Sequence, residues 1–193
     1  MQREDFEHVL AAAAAVTGEE EFVVVGSQAV LGSVASPPPA LLVSMEVDIY
    51  PRHAPEAAIQ IDGSLGDGSP FHNSFGYYAH GVGPLTAKAP AGWQDRLVRR
   101  EIPRRVAGKH TAIAWCLEIH DLVLSKCAAG RERDWIYARE AVNAGLVDAQ
   151  TLLARTGDLP IRVQEREHVE KMLRAIVSSP ETEEPTSGRG APN

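Results

Sequence analysis

The chain has 193 residues, 44% hydrophobic and 23% charged, a length and balance that suit one domain with a sizeable core and argue against two compact domains. Its 19 basic and 26 acidic residues give a net charge of −7, which excludes broad electrostatic attachment to nucleic acid, where Lys and Arg must neutralise phosphate. No apolar stretch approaches the ~20 residues that span a bilayer, so no membrane partner is expected and the expected location is cytoplasmic.

Residues 3–16 read as an amphipathic helix with Phe6, Val9 and Leu10 at helical spacing and Gly18 as a stop. Val9 to Val16 is apolar, but Glu4, Asp5 and Glu7 precede it without a basic region, so an Ala-rich helix is expected there instead of a signal peptide. A strand over 22–25 (Phe22-Val23-Val24-Val25) then meets Gly26-Ser27, and a helix over 27–33 follows. A Gly-Ser turn lets backbone approach a phosphate closely, and a helix start offers unpaired N–H groups. The same turn also occurs for packing alone.

Pro37-Pro38-Pro39 predicts an extended linker, and a strand over 43–50 closes at Pro51. A short helix is expected around 55–61. Residues 62–92 hold seven glycines and are expected to form turns around a strand or hairpin at 75–79, either as a lid or as a turn-rich part of the sheet. Further strands are expected over 95–102 and 111–117. Six basic residues, Arg96, Arg99, Arg100, Arg104, Arg105 and Lys109, fall within fourteen positions; they read either as a patch for nucleotide or RNA or as a solvated basic strand and turn. Helices follow over 120–129, 132–143, 148–154, with Asp148 as N-cap, and 163–177. The Ser-, Pro- and Glu-rich tail beyond 178 is expected to be disordered. Cys116 and Cys127, without C-x-x-C spacing, are expected to be reduced core residues.

Within the strand over 43–50, Ser44-Met45-Glu46-Val47-Asp48 places two carboxylates two positions apart. Strand side chains alternate, so Glu46 and Asp48 share a face at ~3.3 Å rise per residue. Leu41-Leu42-Val43 and Ile49 point to a buried strand, where an uncompensated carboxylate is costly or takes up a proton. A divalent cation removes that cost.

A hydrophobic strand ending in Gly-Ser, followed on the next strand by Ser-x-Glu-Val-Asp, resembles the DNA polymerase beta-type nucleotidyltransferase superfamily. Together with Leu117-Glu118-Ile119-His120-Asp121-Leu122, Lys126 and Ala129-Gly130-Arg131-Glu132-Arg133-Asp134, the text is similar to small bacterial predicted nucleotidyltransferases related to the abortive-infection toxin type. The resemblance covers roughly residues 20–150. It implies an α+β fold, a nucleotidyltransferase-like mixed β-sheet flanked by helices with a C-terminal helical segment: a core over 1–118, a helical region over 119–177 packed on it, and the tail over 178–193.

By that resemblance Glu46 and Asp48 would bind catalytic Mg²⁺, and Gly26 and Ser27 would contact the triphosphate of a nucleoside triphosphate. Ser44, heading the acidic motif, joins the nucleotide-binding set. Lys126 and Arg131 would neutralise phosphate charge, and Asp134 would position them or contact the base; a solvated helix with surface ion pairs is the alternative for all three. A third carboxylate is expected on a neighbouring strand, Asp95 or, failing it, Glu118. Mg²⁺ is a hard cation that takes carboxylate, phosphate and water ligands, and paired ions stabilise the attacking and leaving oxygens of an in-line displacement.

Two departures stand out: Glu46 replaces the commoner Asp, and eighteen residues separate Ser27 from Glu46. The implied activity is transfer of a nucleoside monophosphate to a hydroxyl of an RNA, protein or small molecule. The alternative is a catalytically inactive module of the same fold, acting on a protein partner in a toxin–antitoxin pair. A P-loop kinase or ATPase is a poor third choice, because Gly26 to Ser33 lacks the Lys that such a loop uses on the phosphates.

Overall fold

The computed structural model describes residues 1–103 and 112–178. Helix α1 (Arg3–Thr17) forms from an Ala-rich run that loses little side-chain entropy, and it buries Phe6, Val9, Leu10, Ala13 and Ala14 along one stripe before ending at Gly18. Five strands, β1 (Glu21–Val25), β2 (Glu46–Pro51), β3 (Tyr78–Gly81), β4 (Val98–Ile102) and β5 (Ala112–Cys116), form one mixed sheet in the order β3-β2-β1-β5-β4. β1 runs antiparallel to β2 and parallel to β5; β3 runs parallel to β2, and β4 antiparallel to β5. The C-terminal ends of β1 and β5 therefore lie at the same end of the sheet as the N-terminal ends of β2 and β3.

One sheet face buries Phe22, Val24, Val47, Ile49, Ala79, Ala114 and Cys116. Helix α1 and helix α3 (Ala58–Leu65) pack on this sheet, while the short α2 (Val30–Ser33) meets β4 and β5. The N-terminal layer is completed by α4 (Pro70–Phe75), which touches α3 and β3. Helices α5 (Ile119–Ala129), α6 (Glu132–Asn143), α7 (Ala149–Thr156) and α8 (Val163–Ser178) pack on one another, and α5 reaches α2 and the 3₁₀ turn Ser27–Ala29. Asp148 caps α7 by accepting a 2.7 Å hydrogen bond from the Thr151 N–H, where its spacing predicts it. The result is the α+β fold with a mixed sheet that the sequence implies. No helix among the described residues is long and apolar enough to cross a membrane.

Several elements differ from expectation. The helix over 27–33 is a 3₁₀ turn followed by the four-residue α2. The strand over 43–50 begins only at Glu46: Pro39–Leu42 form a 3₁₀ turn, Val43 is 80% exposed, and the Ser44 hydroxyl loops onto the Glu46 backbone. The apolar run was a misleading sign of strand burial, since only Leu41 of its three residues is fully buried. Of the strand or hairpin expected at 75–79, a single edge strand forms a few residues later: α4 ends at Phe75 and β3 adds to β2. The strand over 95–102 starts at Val98, because Trp93–Arg96 form a 3₁₀ turn.

The basic stretch is not a free patch among its described residues. Arg96 pairs with Asp121, Arg99 with Glu101 and Arg100 with Glu7; Arg104, Arg105 and Lys109 lie outside the described residues, as does the tail from 179 to 193. Both cysteines are buried and free, and burial pushes both thiols up to about 12, which suits inert core positions.

Candidate active site

β2 alternates as its sequence predicts: Val47 and Ile49 are fully buried on one face, while Glu46 and Asp48 project from the other. Register decides what those carboxylates meet. Asp48 lies opposite Val25 on β1 and His80 on β3, and Glu46 lies opposite Tyr78. Paired residues across neighbouring strands share a face with Cβ atoms ~5 Å apart, so Tyr78 and His80 converge on the two acids. The Tyr78 hydroxyl donates to Glu46 Oε2 at 2.8 Å. His80 Nδ1 sits 2.9 Å from Asp48 Oδ1 and 3.7 Å from Glu46 Oε1.

The electrostatics follow from this crowding. Burial, reinforced by the neighbouring Glu46 charge and a hydrogen bond with it, pushes the Asp48 carboxyl up to about 6. Burial also acts to raise Glu46, but hydrogen bonds from Tyr78 and Asp48 and the charges of His80 and Arg133 outweigh it, so Glu46 stays below its ordinary value. Burial pulls His80 down, yet the two carboxylates outweigh that and raise it. The pair thus carries a proton easily, the response of like charges held together without a counter-ion.

These residues fit a divalent cation. Among the described residues, one oxygen each of Glu46 and Asp48 and a ring nitrogen of His80 lie within 4.8 Å of one another, and carboxylate oxygen with imidazole is a metal-ligating set. Gly26 closes the site on the β1 side. Its backbone, at φ +67° and ψ −172°, occupies a region open almost only to glycine, and a Cβ there would stand 2.0 Å from Asp48 Oδ2. Ser27 opens the 3₁₀ turn and its carbonyl accepts from the Tyr137 hydroxyl at 3.1 Å, so α6 braces the turn. Gln28, next along, is fully buried.

Beside Gly26 and Asp48 lies a cavity of about 280 Å³, also lined by Lys88, Ser125, Lys126 and Arg131. Lys126 is 14% exposed, and its ammonium lies 3.5 Å from Asp134 Oδ1. Burial lowers the Lys126 ammonium, and the Asp134 carboxylate only partly offsets this. Arg131 donates from Nε to Asp134 Oδ2 at 2.9 Å. Asp134 is 1% exposed and lies between the Lys126 and Arg131 side chains.

Other expected site residues fall elsewhere. Ser44 is engaged with the Glu46 backbone, bracing the start of β2. Asp95 is exposed on the 3₁₀ turn Trp93–Arg96 and does not join Glu46 and Asp48, because the turn ends before β4 begins and β4 is the far edge of the sheet. Glu118 does not join them either. It caps α5 by accepting from the His120 and Asp121 N–H groups, and its side chain is taken by His120 at 2.5 Å and Arg155 at 2.7 Å. The neighbouring-strand residue that meets the acids is His80. Its signal was Tyr78-x-His80, whose spacing mirrors Glu46-x-Asp48, but nothing local marks β3 as the neighbour of β2. Lys88 and Tyr137 were missed for the same reason.

A family model described as a nucleotidyltransferase of unknown function (DUF6036) matches residues 4–179. No curated protein and no solved structure matches the chain. The chain belongs to this nucleotidyltransferase family.

Proposed function

We propose, from that family membership and from the convergence of Glu46, Asp48 and His80 beside Gly26, that the protein is a Mg²⁺-dependent enzyme of the polymerase-beta type. It moves a nucleoside monophosphate from a nucleoside triphosphate to a hydroxyl of an RNA, protein or small molecule. The observation that carries this reading is the carboxylate pair beside a cavity with Lys88, Lys126 and Arg131 at its walls. Such a cavity suits a polyphosphate next to a cation site.

In the reaction the acceptor oxygen forms a bond to the α-phosphorus, the bond from that phosphorus to the α–β bridging oxygen breaks, and pyrophosphate leaves. The hydroxyl proton passes to solvent. Glu46 and Asp48 would hold the Mg²⁺, which when bound neutralises charge on the phosphates and on the attacking oxygen. Tyr78 keeps one Glu46 oxygen oriented. Gly26 lets the backbone come against Asp48, and Lys126 and Arg131, steadied by Asp134, offer positive charge to the departing pyrophosphate.

Labelled nucleoside triphosphates with Mg²⁺ test this directly. Wild type should label an acceptor in lysate, whereas Glu46→Ala and Asp48→Ala should not; equal labelling by the variants would sink the proposal. A second reading, a catalytically inactive interaction or regulatory module of the same fold with an antitoxin-like protein partner, is favoured by one observation. Among the described residues no third carboxylate joins the pair. It predicts no labelling, no Mg²⁺-dependent nucleotide binding by calorimetry, and a specific protein partner on pull-down.

A further inference from the structure

We propose that His80 is a nitrogen ligand of the cation held by Glu46 and Asp48, so that the centre is a two-carboxylate, one-imidazole site that binds Mn²⁺ in preference to Mg²⁺. This rests on the metal-dependent reading above and adds the identity of the third ligand and the site's order of affinity for the two ions.

The position of His80 is built into the sheet. β3 pairs with β2 in parallel, with His80 opposite Asp48, and the ladder continues at both ends, from Tyr78 N–H to Met45 O and from Val82 N–H to Ile49 O, each 3.0 Å. The next residue is Gly81, where a Cβ would stand 2.0 Å from the Ala58 carbonyl oxygen. That close approach lets α3 press against β3, so the backbone carrying His80 is held from beneath as well as from the side.

The side chain then points its Nδ1 at both acids, 2.9 Å from Asp48 Oδ1 and 3.7 Å from Glu46 Oε1. Tyr78 occupies Glu46 Oε2, which leaves Oε1 as the oxygen nearer the imidazole. His80 is 49% exposed, so its ring can adjust around an ion without displacing core side chains. Glu118 is taken by His120 and Arg155, Asp95 is exposed on its turn outside the group, and among the described residues the ligand group is completed by His80.

Ligand chemistry sets the consequence. An all-oxygen site suits Mg²⁺, which dehydrates reluctantly and demands near-ideal octahedral geometry. Imidazole favours transition metals, and Mn²⁺ accepts both carboxylate and imidazole while still tolerating phosphate and water. Replacing a third carboxylate with His80 also removes one negative charge, lowering the electrostatic attraction on which Mg²⁺ depends most.

The test uses the full chain and Mn²⁺ alone as the probe. Pulsed electron paramagnetic resonance should show a directly coordinated ¹⁴N in wild type, absent in His80→Ala and His80→Asp. Competition titration should show His80→Asp lowering the ratio of Mn²⁺ to Mg²⁺ affinity about tenfold or more, because a third carboxylate in place of the imidazole restores the all-oxygen set that suits Mg²⁺. Circular dichroism confirms that the variants fold. Bound Mn²⁺ without ¹⁴N coupling in wild type, coupling that survives His80→Ala, or an unchanged affinity ratio in His80→Asp overturns the inference. None of these touches the transfer reaction, which the labelling experiment decides by itself.

Discussion

A Cβ on residue 26 would stand 2.0 Å from Asp48 Oδ2, so the absence of a side chain at Gly26 and the placement of the Asp48 carboxylate are one structural fact. With φ at +67°, Gly26→Ala adds backbone strain to this clash, about 1–3 kcal/mol for the strain alone. The variant should unfold at lower urea and bind Mg²⁺ or Mn²⁺ more weakly by titration calorimetry. Wild-type values for both would contradict the account of the turn.

Asp48 is the group whose charge the metal-free site least tolerates. Asp48→Asn removes the repulsion with Glu46 while keeping the side-chain shape, so thermal melts at pH 8 in chelator should give a melting temperature equal to or above that of wild type. Saturating Mg²⁺ should reverse the order. It stabilises wild type by about 2.7 kcal/mol at a hundred times its dissociation constant, and the variant far less.

Asp134 is buried between Lys126 and Arg131. Asp134→Ala leaves the mostly buried Lys126 ammonium without its carboxylate, a loss that costs about 3–5 kcal/mol for a buried pair, visible in chemical denaturation. Lys126→Met removes a cavity charge while Asp134 keeps Arg131. Its effect should appear in the kinetics of nucleotide use, as a fall in kcat/KM, with a smaller loss of stability.

Stability should depend on pH through Glu118. Burial acts to raise this carboxyl, but hydrogen bonds from His120 and Arg155 outweigh it and hold it down to about 2, from 4.5 unfolded. A depressed acid stabilises the fold above its unfolded value and loses that contribution as pH falls from 4.5 towards 2. Each pH unit is worth at most 1.36 kcal/mol, and solvent screening of this part-exposed pair lowers that, so the contribution is on the order of 1–2 kcal/mol. Glu118→Gln should therefore be less stable at pH 7 and show a flatter decline between pH 4.5 and 2 in urea titrations at stepped pH.

Local sequence was a good guide where a pattern is self-contained. The apolar spacing of Phe6, Val9 and Leu10, the β-branched run Phe22 to Val25, and the Asp148 cap each act within a turn or two of their own element, and the structure places α1, β1 and α7 there. It misled where tertiary packing overrode a pattern. Leu41-Leu42-Val43 suggests a strand, but Pro39–Leu42 form a 3₁₀ turn and the strand begins only at Glu46. Asp95 has the residue type of a third acid, but its turn feeds the far edge strand, two strands beyond the β1–β2 pair.

The sequence by itself determined that Glu46 and Asp48 share a face and follow a Gly-Ser turn, because strand alternation and glycine's backbone freedom are local properties. Only the tertiary structure decided what completes the pair. Which strand lies beside β2, and in what register, depends on contacts among β2, β3 and α3, formed by segments tens of residues apart. Those contacts put His80, 32 positions from Asp48, within 2.9 Å of its carboxylate, while the packing of α5 on α2, on the Ser27–Ala29 turn and on α6 brought Lys126 and Arg131 to the same cavity.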